Sequence, residues 1–148
     1  MKKTLIFALG VLLLASLSLG VAFAQPGNVS VQEEEVDFIF VQGTADLIWK
    51  GVASLTDWGN GSVSIWGMTQ TYSTVEYVSG RVYLQRWDGS RWVNIDSRLF
   101  YRFNHSYASG GKSTQVTPGW YRAHGIHYAE HQGVSDTQYV TTSPIYVN

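Results

Sequence analysis

The sequence predicts an all-β protein, an antiparallel sandwich of two sheets built from about seven short strands. Three observations lead to this prediction. Apolar and polar residues alternate over several short runs, and turn-forming residues separate these runs at intervals of about 8–12 residues. No stretch after Ala24 has the spacing of apolar residues that an amphipathic helix needs. A closed barrel is the alternative that strand spacing leaves open.

Composition narrows the class of protein further. The chain has 148 residues, no cysteine, a formal net charge of −1 and 14% aromatic residues. This length corresponds to one domain. The near-neutral charge argues against a nucleic-acid partner, and the absence of cysteine excludes disulfides, thiol catalysis and thiolate zinc sites. We therefore expect aromatic packing to stabilise the fold without a cofactor or a metal.

The first 24 residues have the features of a secretory signal peptide. Lys2 and Lys3 form a positive start, residues 5–14 are apolar, and small residues follow at the spacing that signal peptidase requires. The predicted cleavage site consists of Ala22, Ala24 and the new N-terminal residue Gln25. The alternative is a retained membrane anchor, because residues 4–24 carry no charge. We expect contact with a membrane only through this segment before cleavage.

Residues 25–43 are predicted to form an acidic, mobile leader ahead of a single domain at 44–148. Four acids, Glu33, Glu34, Glu35 and Asp37, lie together with no base before Lys50. All eleven acids follow Ala24, whereas two of the ten bases precede it. The cleaved chain thus has eight bases against eleven acids, a net charge of −3.

Alternating runs predict the strands of the domain in order. In residues 62–71, Val63 and Ile65 share one face, and in residues 81–87 Val82 and Leu84 do the same. These pairs indicate the inward side of the two strands. The full set of predicted strands is 47–54, 62–71, 81–87, 92–103, 112–117, 120–128 and 137–147.

Turn chemistry explains where these strands end. Asp88-Gly89 lies between two tryptophans and is typical of a tight hairpin turn. Gly59–Gly61 and Ser109–Gly111 predict loops, and Gln132-Gly133 predicts another hairpin. Pro118 breaks the chain before the next strand, because proline cannot donate a hydrogen bond within a sheet.

The C-terminal part of the chain resembles known β-sandwiches. Residues 118–125 (Pro-Gly-Trp-Tyr-Arg-Ala-His-Gly) and the following stretch to Val147 look like the last two strands of an immunoglobulin-like or fibronectin-type domain. This resemblance implies that Tyr121 is a corner tyrosine and that Ala123 and Gly125 face inward. It also implies that Ile145 and Val147 close the final strand. Gly125 departs from the pattern, which usually has a larger core residue at this position.

Residues 63–147 are also similar to small exported proteins of Gram-positive bacteria that have no assigned activity. The similarity lies in the Leu84-Gln85 strand, the tryptophan-bounded hairpin and the Gly119-Trp120-Tyr121-Arg122 run. It implies an extracellular or cell-wall-associated protein.

Histidines and acids that could serve catalysis or metal binding are more simply explained by structural roles. His124, His127 and His131 lack the His-x-His spacing of a metal pair on a strand, and we interpret His127 as a hydrogen-bonded histidine near the edge of the core. Asp88 and Asp96 could form the carboxylate pair of a glycosidase, but Asp88 is explained by the hairpin turn. We predict no catalytic, cofactor-binding or metal-binding residues, with a small hydrolase as the least favoured alternative.

Outward-facing aromatic residues are the best functional lead. The strand phases place several large rings on the outer side, with arginines beside them, and such surfaces bind sugars and proteins. The alternative is a purely structural role, in which these rings form cross-strand pairs or fill a thick core. The predicted ligand-binding residues are Trp66, Tyr83, Trp87, Trp120, Arg86 and Arg122.

These observations predict a secreted, noncatalytic binding or envelope-associated module. Its expected partner is a cell-wall glycan or a protein that contacts the outward aromatic residues. The alternative is a secreted toxin, inhibitor or immunity factor that acts on a protein partner.

Overall fold

The computed structural model describes residues 47–148, which form an all-β, antiparallel structure. The predicted signal peptide with Ala22, Ala24 and Gln25, and the predicted leader at 25–43, lie outside the described residues. The six strands are β1 (Ile48–Asp57), β2 (Ser62–Trp87), β3 (Trp92–Gln115), β4 (Gly119–His131), β5 (Val134–Thr141) and β6 (Ile145–Val147). In this part of the chain no helix is long and apolar enough to cross a bilayer.

One long ribbon organises the fold. Strands β2 and β3, of 26 and 24 residues, pair with each other along most of their length. Strand β1 pairs with residues 63–71 of β2, whereas β4 pairs with residues 77–86 of the same strand. Strands β5 and β6 both pair with the other side of β4. All six strands thus belong to one sheet, and β2 connects its two ends.

The ribbon bends in the middle, and this bend curls the sheet into a half-barrel. Pairing passes from Gln70 opposite Tyr107 to Val75 opposite His105, so β2 has extra residues at this point. An insertion in one strand bends a ribbon and increases its twist. On the β3 side, Asn104 has a positive φ of 52°, which asparagine adopts more readily than most residues.

Two halves of the curled sheet face each other across the core. We call them the β1 half (β1, residues 62–71 of β2 and 107–115 of β3) and the β4 half (residues 75–87 of β2, 92–105 of β3, and β4 to β6). The inward residues predicted from sequence alternation are all buried: Val63, Ile65, Val82, Leu84, Tyr121 and Ala123. The strand phases predicted for these residues are confirmed.

Inward glycines make room for the rings of Phe100 and His127, both in the same half and across the core. A Cβ on Gly110 would lie 2.9 Å from Cβ of Phe100, and Gly67 and Gly80 face the same ring. A Cβ on Gly125 would lie 2.7 Å from Nε2 of His127. The small residue at position 125, a departure from the immunoglobulin-like pattern, is thus explained by a histidine that fills the space.

His127 lies in the core rather than at its edge. Its side chain is fully buried, and Nδ1 is 2.8 Å from Oγ1 of Thr69. The Thr69 hydroxyl donates its proton to the carbonyl oxygen of Ser79 at 2.9 Å. Since that hydroxyl has one proton, Nδ1–H of His127 donates to Oγ1, and Nε2 is left as a buried acceptor without a hydrogen bond.

The predicted hairpins are present. Trp87 pairs with Trp92 around Asp88-Gly89, and the Asp88 carboxylate accepts the N–H groups of Ser90 and Arg91. The Arg91 and Ser90 N–H groups lower the pKa of Asp88 to about 2. The turn between β4 and β5 is formed by Gln132 and Gly133, both with positive φ.

The strand count differs from the prediction at three places. The predicted strands 62–71 and 81–87 are joined in β2, and 92–103 and 112–117 are joined in β3. The predicted loop at Ser109–Gly111 is wrong, because these residues continue β3 and pair with β2. The predicted last strand 137–147 is divided into β5 and β6.

Candidate functional site

The outer face of the β4 half carries most of the exposed rings. Residues that pair directly across antiparallel strands point to the same side of a sheet. Tyr83 on β2 pairs with His124 on β4, and Gln85 pairs with Arg122. Since Tyr121 and Ala123 are buried, these four side chains point outward, as do Trp87 and Trp120 in the same phases.

Tryptophans form one end of this face. Trp87 and Trp92 pair across the hairpin, with ring centroids 5.4 Å apart. Trp120 pairs with Tyr146 of β6, and these rings meet edge to face, also at 5.4 Å. Trp87 is 38% exposed and Trp120 is 48% exposed. Cross-strand ring contacts therefore hold large apolar surfaces in place while leaving them open to solvent.

Planar polar groups occupy the middle of the face. The guanidinium of Arg122 lies 4.5 Å above the Trp92 ring, and its Nε–H donates to Oε1 of Gln85 at 2.7 Å. The guanidinium of Arg81 lies 5.9 Å from the Tyr83 ring. His124 stacks on Tyr139 of β5 at 6.3 Å. Side chains that can hydrogen-bond to a hydroxyl or an anion thus alternate with rings.

Tyrosines and a phenylalanine form the other end. The Tyr77 ring lies 5.1 Å from Phe103, 6.2 Å from Tyr101 and 6.1 Å from Tyr128. Phe103 is 64% exposed. The Tyr128 hydroxyl donates to Oε2 of Glu130 at 2.9 Å, and this hydrogen bond raises the pKa of Tyr128.

These groups form one continuous surface, which we call the aromatic face. It crosses the sheet from β3 through β2 and β4 to β5 and β6. The eight residue-to-residue steps from Trp120 to Tyr128 span about 26 Å along β4. The rings of the aromatic face are Tyr77, Tyr83, Trp87, Trp92, Tyr101, Phe103, Trp120, Tyr128, Tyr139 and Tyr146.

The structure divides the six predicted ligand-binding residues between three places. Tyr83, Trp87, Trp120 and Arg122 lie together on the aromatic face. Trp66 lies on the outer face of the β1 half, with β1 and residues 107–115 of β3 as its neighbours. The side chain of Arg86 follows the inner side of the sheet, where its Nη2 donates to the carbonyl oxygen of Pro118 at 3.2 Å and its guanidinium lies 6.0 Å from the Tyr121 ring.

Sequence reasoning missed several members of the aromatic face. Trp92 has a clear signal, because a hairpin centred on Asp88-Gly89 places it opposite Trp87. Tyr101 and Phe103 alternate with the buried Phe100, so their strand phase was readable too. Tyr146 has no such signal, since its position depends on the pairing of β6 with the start of β4.

The residues with catalytic or metal-binding chemistry are dispersed. His124 points outward, whereas His127 points into the core. No group of three or more His, Asp or Glu side chains within residues 47–148 is arranged to hold a metal ion. The Asp96 carboxylate accepts from Nζ of Lys112 at 2.6 Å and from Oγ1 of Thr114, and these two hydrogen bonds lower the pKa of Asp96.

Comparisons with family models, curated proteins and solved structures gave no match. The surface of the β4 half is therefore the basis on which a function can be argued.

Proposed function

We propose that this chain is an exported, noncatalytic module that binds a polysaccharide, a cell-wall glycan, on its aromatic face. The single observation that carries the proposal is the continuous outer surface of rings across β3, β2, β4, β5 and β6. Single exposed apolar residues are ordinary on protein surfaces, whereas a contiguous patch of this kind is typical of a binding site.

The chemistry of the face suits a sugar chain. The flat sides of tryptophan and tyrosine rings contact the C–H groups of sugar rings over a large, rigid area. The amide of Gln85, the imidazole of His124 and the hydroxyl of Thr141 lie among the rings, and each of these groups can hydrogen-bond to a sugar hydroxyl. A span of about 26 Å along β4 accommodates several sugar units of an extended chain.

Structural roles of the candidate carboxylates support a noncatalytic function. Asp88 caps the hairpin turn through the N–H groups of Ser90 and Arg91. Asp96 pairs with Lys112 on the inner side of the sheet. Neither carboxylate lies on the aromatic face, where a glycosidase would need both.

Contacts around Tyr121 also support the immunoglobulin-like sandwich predicted from the sequence, which we retain as part of this proposal. The Tyr121 hydroxyl donates to the carbonyl oxygen of Thr117, four residues upstream, at 2.6 Å. This is the contact that defines a tyrosine corner in that fold. In this proposal the facing β1 and β4 halves of the one curled sheet take the place of the two separate layers of that fold.

The test is sedimentation of the purified protein with insoluble Gram-positive cell wall and with chitin. We expect the wall to retain the wild-type protein. Trp87→Ala and Trp120→Ala are expected to weaken retention by about tenfold or more, because each removes a large ring contact. Trp66→Ala is the matched control, since Trp66 is similarly exposed (39%) on the opposite outer face.

Two results would contradict the proposal. Retention that both substitutions on the aromatic face leave unchanged would rule out this face as the site. Retention that disappears once the wall is boiled in detergent to strip its proteins would show that the partner is a protein. Thermal melting of each variant controls for loss of folding.

A further inference from the structure

Arg122 differs from Arg81, the other arginine of the aromatic face, in how firmly it is held. One side of its guanidinium lies 4.5 Å above the Trp92 ring, and Nε–H is bound by Oε1 of Gln85. Gln85 is itself fixed, because its Nε2 donates to Oδ1 of Asn94 at 2.8 Å. A chain of contacts from β3 through β2 to β4 therefore orients the guanidinium before any ligand arrives.

The two terminal amino groups of this guanidinium are left for a ligand. Within residues 47–148 they have no hydrogen-bond acceptor, because the bond to Gln85 uses Nε alone. Two parallel N–H groups in this arrangement match the two oxygens of a carboxylate or a phosphate. A lysine could supply the charge but not the paired geometry.

No described carboxylate neutralises Arg122. The ion pairs within residues 47–148 are Arg91 with Asp88 and Lys112 with Asp96. Glu130 is the carboxylate on the aromatic face, and it lies eight residues farther along β4, about 26 Å away. The middle of the face thus has a positive charge without a counter-ion.

Arg122 and His124 are both partly desolvated on this face. Burial beside Trp92 lowers the pKa of the Arg122 guanidinium. Burial, and secondly the charge of Arg122, lower the pKa of His124. An anion bound at Arg122 would relieve both effects, because it would compensate the positive charge in this partly dry environment.

A second cation is placed to accept a further anion. Arg81 pairs with Ile126, four residues from Arg122 along β4, which corresponds to about 13 Å. Its guanidinium lies over the Tyr83 ring. The two guanidinium groups and the rings between them form a line along the sheet.

We propose that the polysaccharide is anionic and that its carboxylate or phosphate oxygens bind the terminal amino groups of Arg122, with Arg81 binding a second anion of the same chain. This inference rests on the proposed function, because it concerns the ligand of the same face. The rings contact the sugars, and the guanidinium groups select polymers that carry oxyanions.

The first experiment treats the wall preparation that retains the protein. One portion is methyl-esterified, which neutralises carboxylates. A second portion is treated with cold hydrofluoric acid, which removes polymers joined by phosphodiester bonds. We expect one treatment to lower retention by tenfold or more, and the effective treatment identifies the oxyanion. Retention unchanged by both treatments would overturn the inference.

Variants of Arg122 provide the second experiment. We expect Arg122→Gln and Arg122→Lys each to weaken binding to untreated wall by about tenfold, because both lose the paired N–H geometry. Arg102→Gln is the matched control: this exposed arginine on β3 pairs with the buried Val78, so its side chain is on the opposite side of the sheet from the aromatic face. Raising NaCl from 50 to 500 mM should weaken wall binding of the wild-type protein more than wall binding of Arg122→Gln.

Failure of this inference can be distinguished from failure of the proposed function. If Trp87→Ala abolishes retention but Arg122→Gln and both wall treatments have no effect, the ligand is a neutral glycan and the proposed function stands. If untreated wall never retains the wild-type protein, the proposed function itself is wrong and the anion site falls with it.

Discussion

Burial couples the charge of His127 to the stability of the fold. Desolvation, and secondly the charge of His124, lower its pKa from 6.5 to about 4. A protonated imidazole would place a charge among Thr69, Gly51 and Gly125 in the core, where Nε2 has no hydrogen-bond partner. The folded protein therefore keeps this ring neutral at pH values where an exposed histidine is charged.

We predict that the protein loses stability as the pH falls from about 6.5 to about 4. In this window the unfolded chain binds a proton at His127 and the folded chain does not, so protonation favours the unfolded state. Below about pH 4 both states are protonated and this contribution levels off. The expected loss is about 3 kcal/mol, measured by urea unfolding at a series of pH values.

Substitution separates this effect from general acid unfolding. In His127→Gln, the unfolding free energy should change less steeply with pH between 6.5 and 4, by the equivalent of about one proton. The variant should also be less stable at pH 7, because its contact with Thr69 changes. His105→Gln is the matched control, since His105 is a histidine exposed on β3. An unaltered slope in His127→Gln would contradict the assignment.

Strand β1 is anchored to β5 by one buried side chain. At its start, the N–H groups of Leu47 and Ile48 both donate to Oδ2 of the buried Asp136 on β5, at 3.1 and 2.9 Å. Nε2 of Gln138 donates to the carbonyl oxygen of Ile48. These side chains replace the backbone ladder that is missing between β1 and β5, and so they fasten the edge of the β1 half to the β4 half.

We predict that Asp136→Ala destabilises the protein by about 1–3 kcal/mol, because it leaves buried N–H groups without an acceptor. Amide exchange at Leu47 and Ile48 should accelerate most. Asp136→Asn keeps an oxygen at this position and should have a smaller effect. Asp57→Ala is the control at the other end of β1, where the carboxylate accepts from Gly59 in an exposed turn; equal acceleration in both alanine variants would contradict the assigned role.

Sequence patterns predicted the strand type and the inward phase of both ends of β2 and of β4, but not where long strands continue. Alternation around Val63 and around Val82 was readable because burial of one face requires it. The continuity of β2 between them was not, since the phase shifts at the bend near Gln70 and Val75. Ser109–Gly111 has the composition of a loop, yet Gly110 is needed in a strand because Phe100 packs against it.

At the scale of the molecule, alternation along single strands predicted only part of the candidate site. Local alternation was sufficient to place Tyr83, Trp87 and Trp120 outward. It did not show that Trp66 lies on the outer face of the β1 half and the other three on that of the β4 half. The bend in β2 and β3 creates these two outer faces, and alternation does not predict it. Arg86 shares the inward phase of Val82 and Leu84, so alternation already placed it on the inner side, where it contacts Pro118 and Tyr121. Information about long-range pairing was missing for Trp66.

Curling also gives the molecule one core shared by both halves. Phe100 of the β4 half packs against Gly67 and Gly110 of the β1 half, and His127 packs against Gly51 and binds Thr69. Strands β2 and β3 run through both halves. Separation of the halves would therefore expose Phe100 and His127 of one half and the inward glycines of the other at the same time.

We predict that the two halves unfold in a single cooperative transition. The six tryptophans provide a test, because the β1 half and its turn contain Trp49, Trp58 and Trp66, whereas the β4 half contains Trp87, Trp92 and Trp120. Two variants, each with the tryptophans of one half changed to phenylalanine, report on the other half by fluorescence. In urea, the fluorescence midpoint of each variant should coincide with its own far-ultraviolet circular dichroism midpoint. A fluorescence transition that precedes loss of strand signal in either variant would show that the halves separate, since a shared core does not allow one half to remain packed alone.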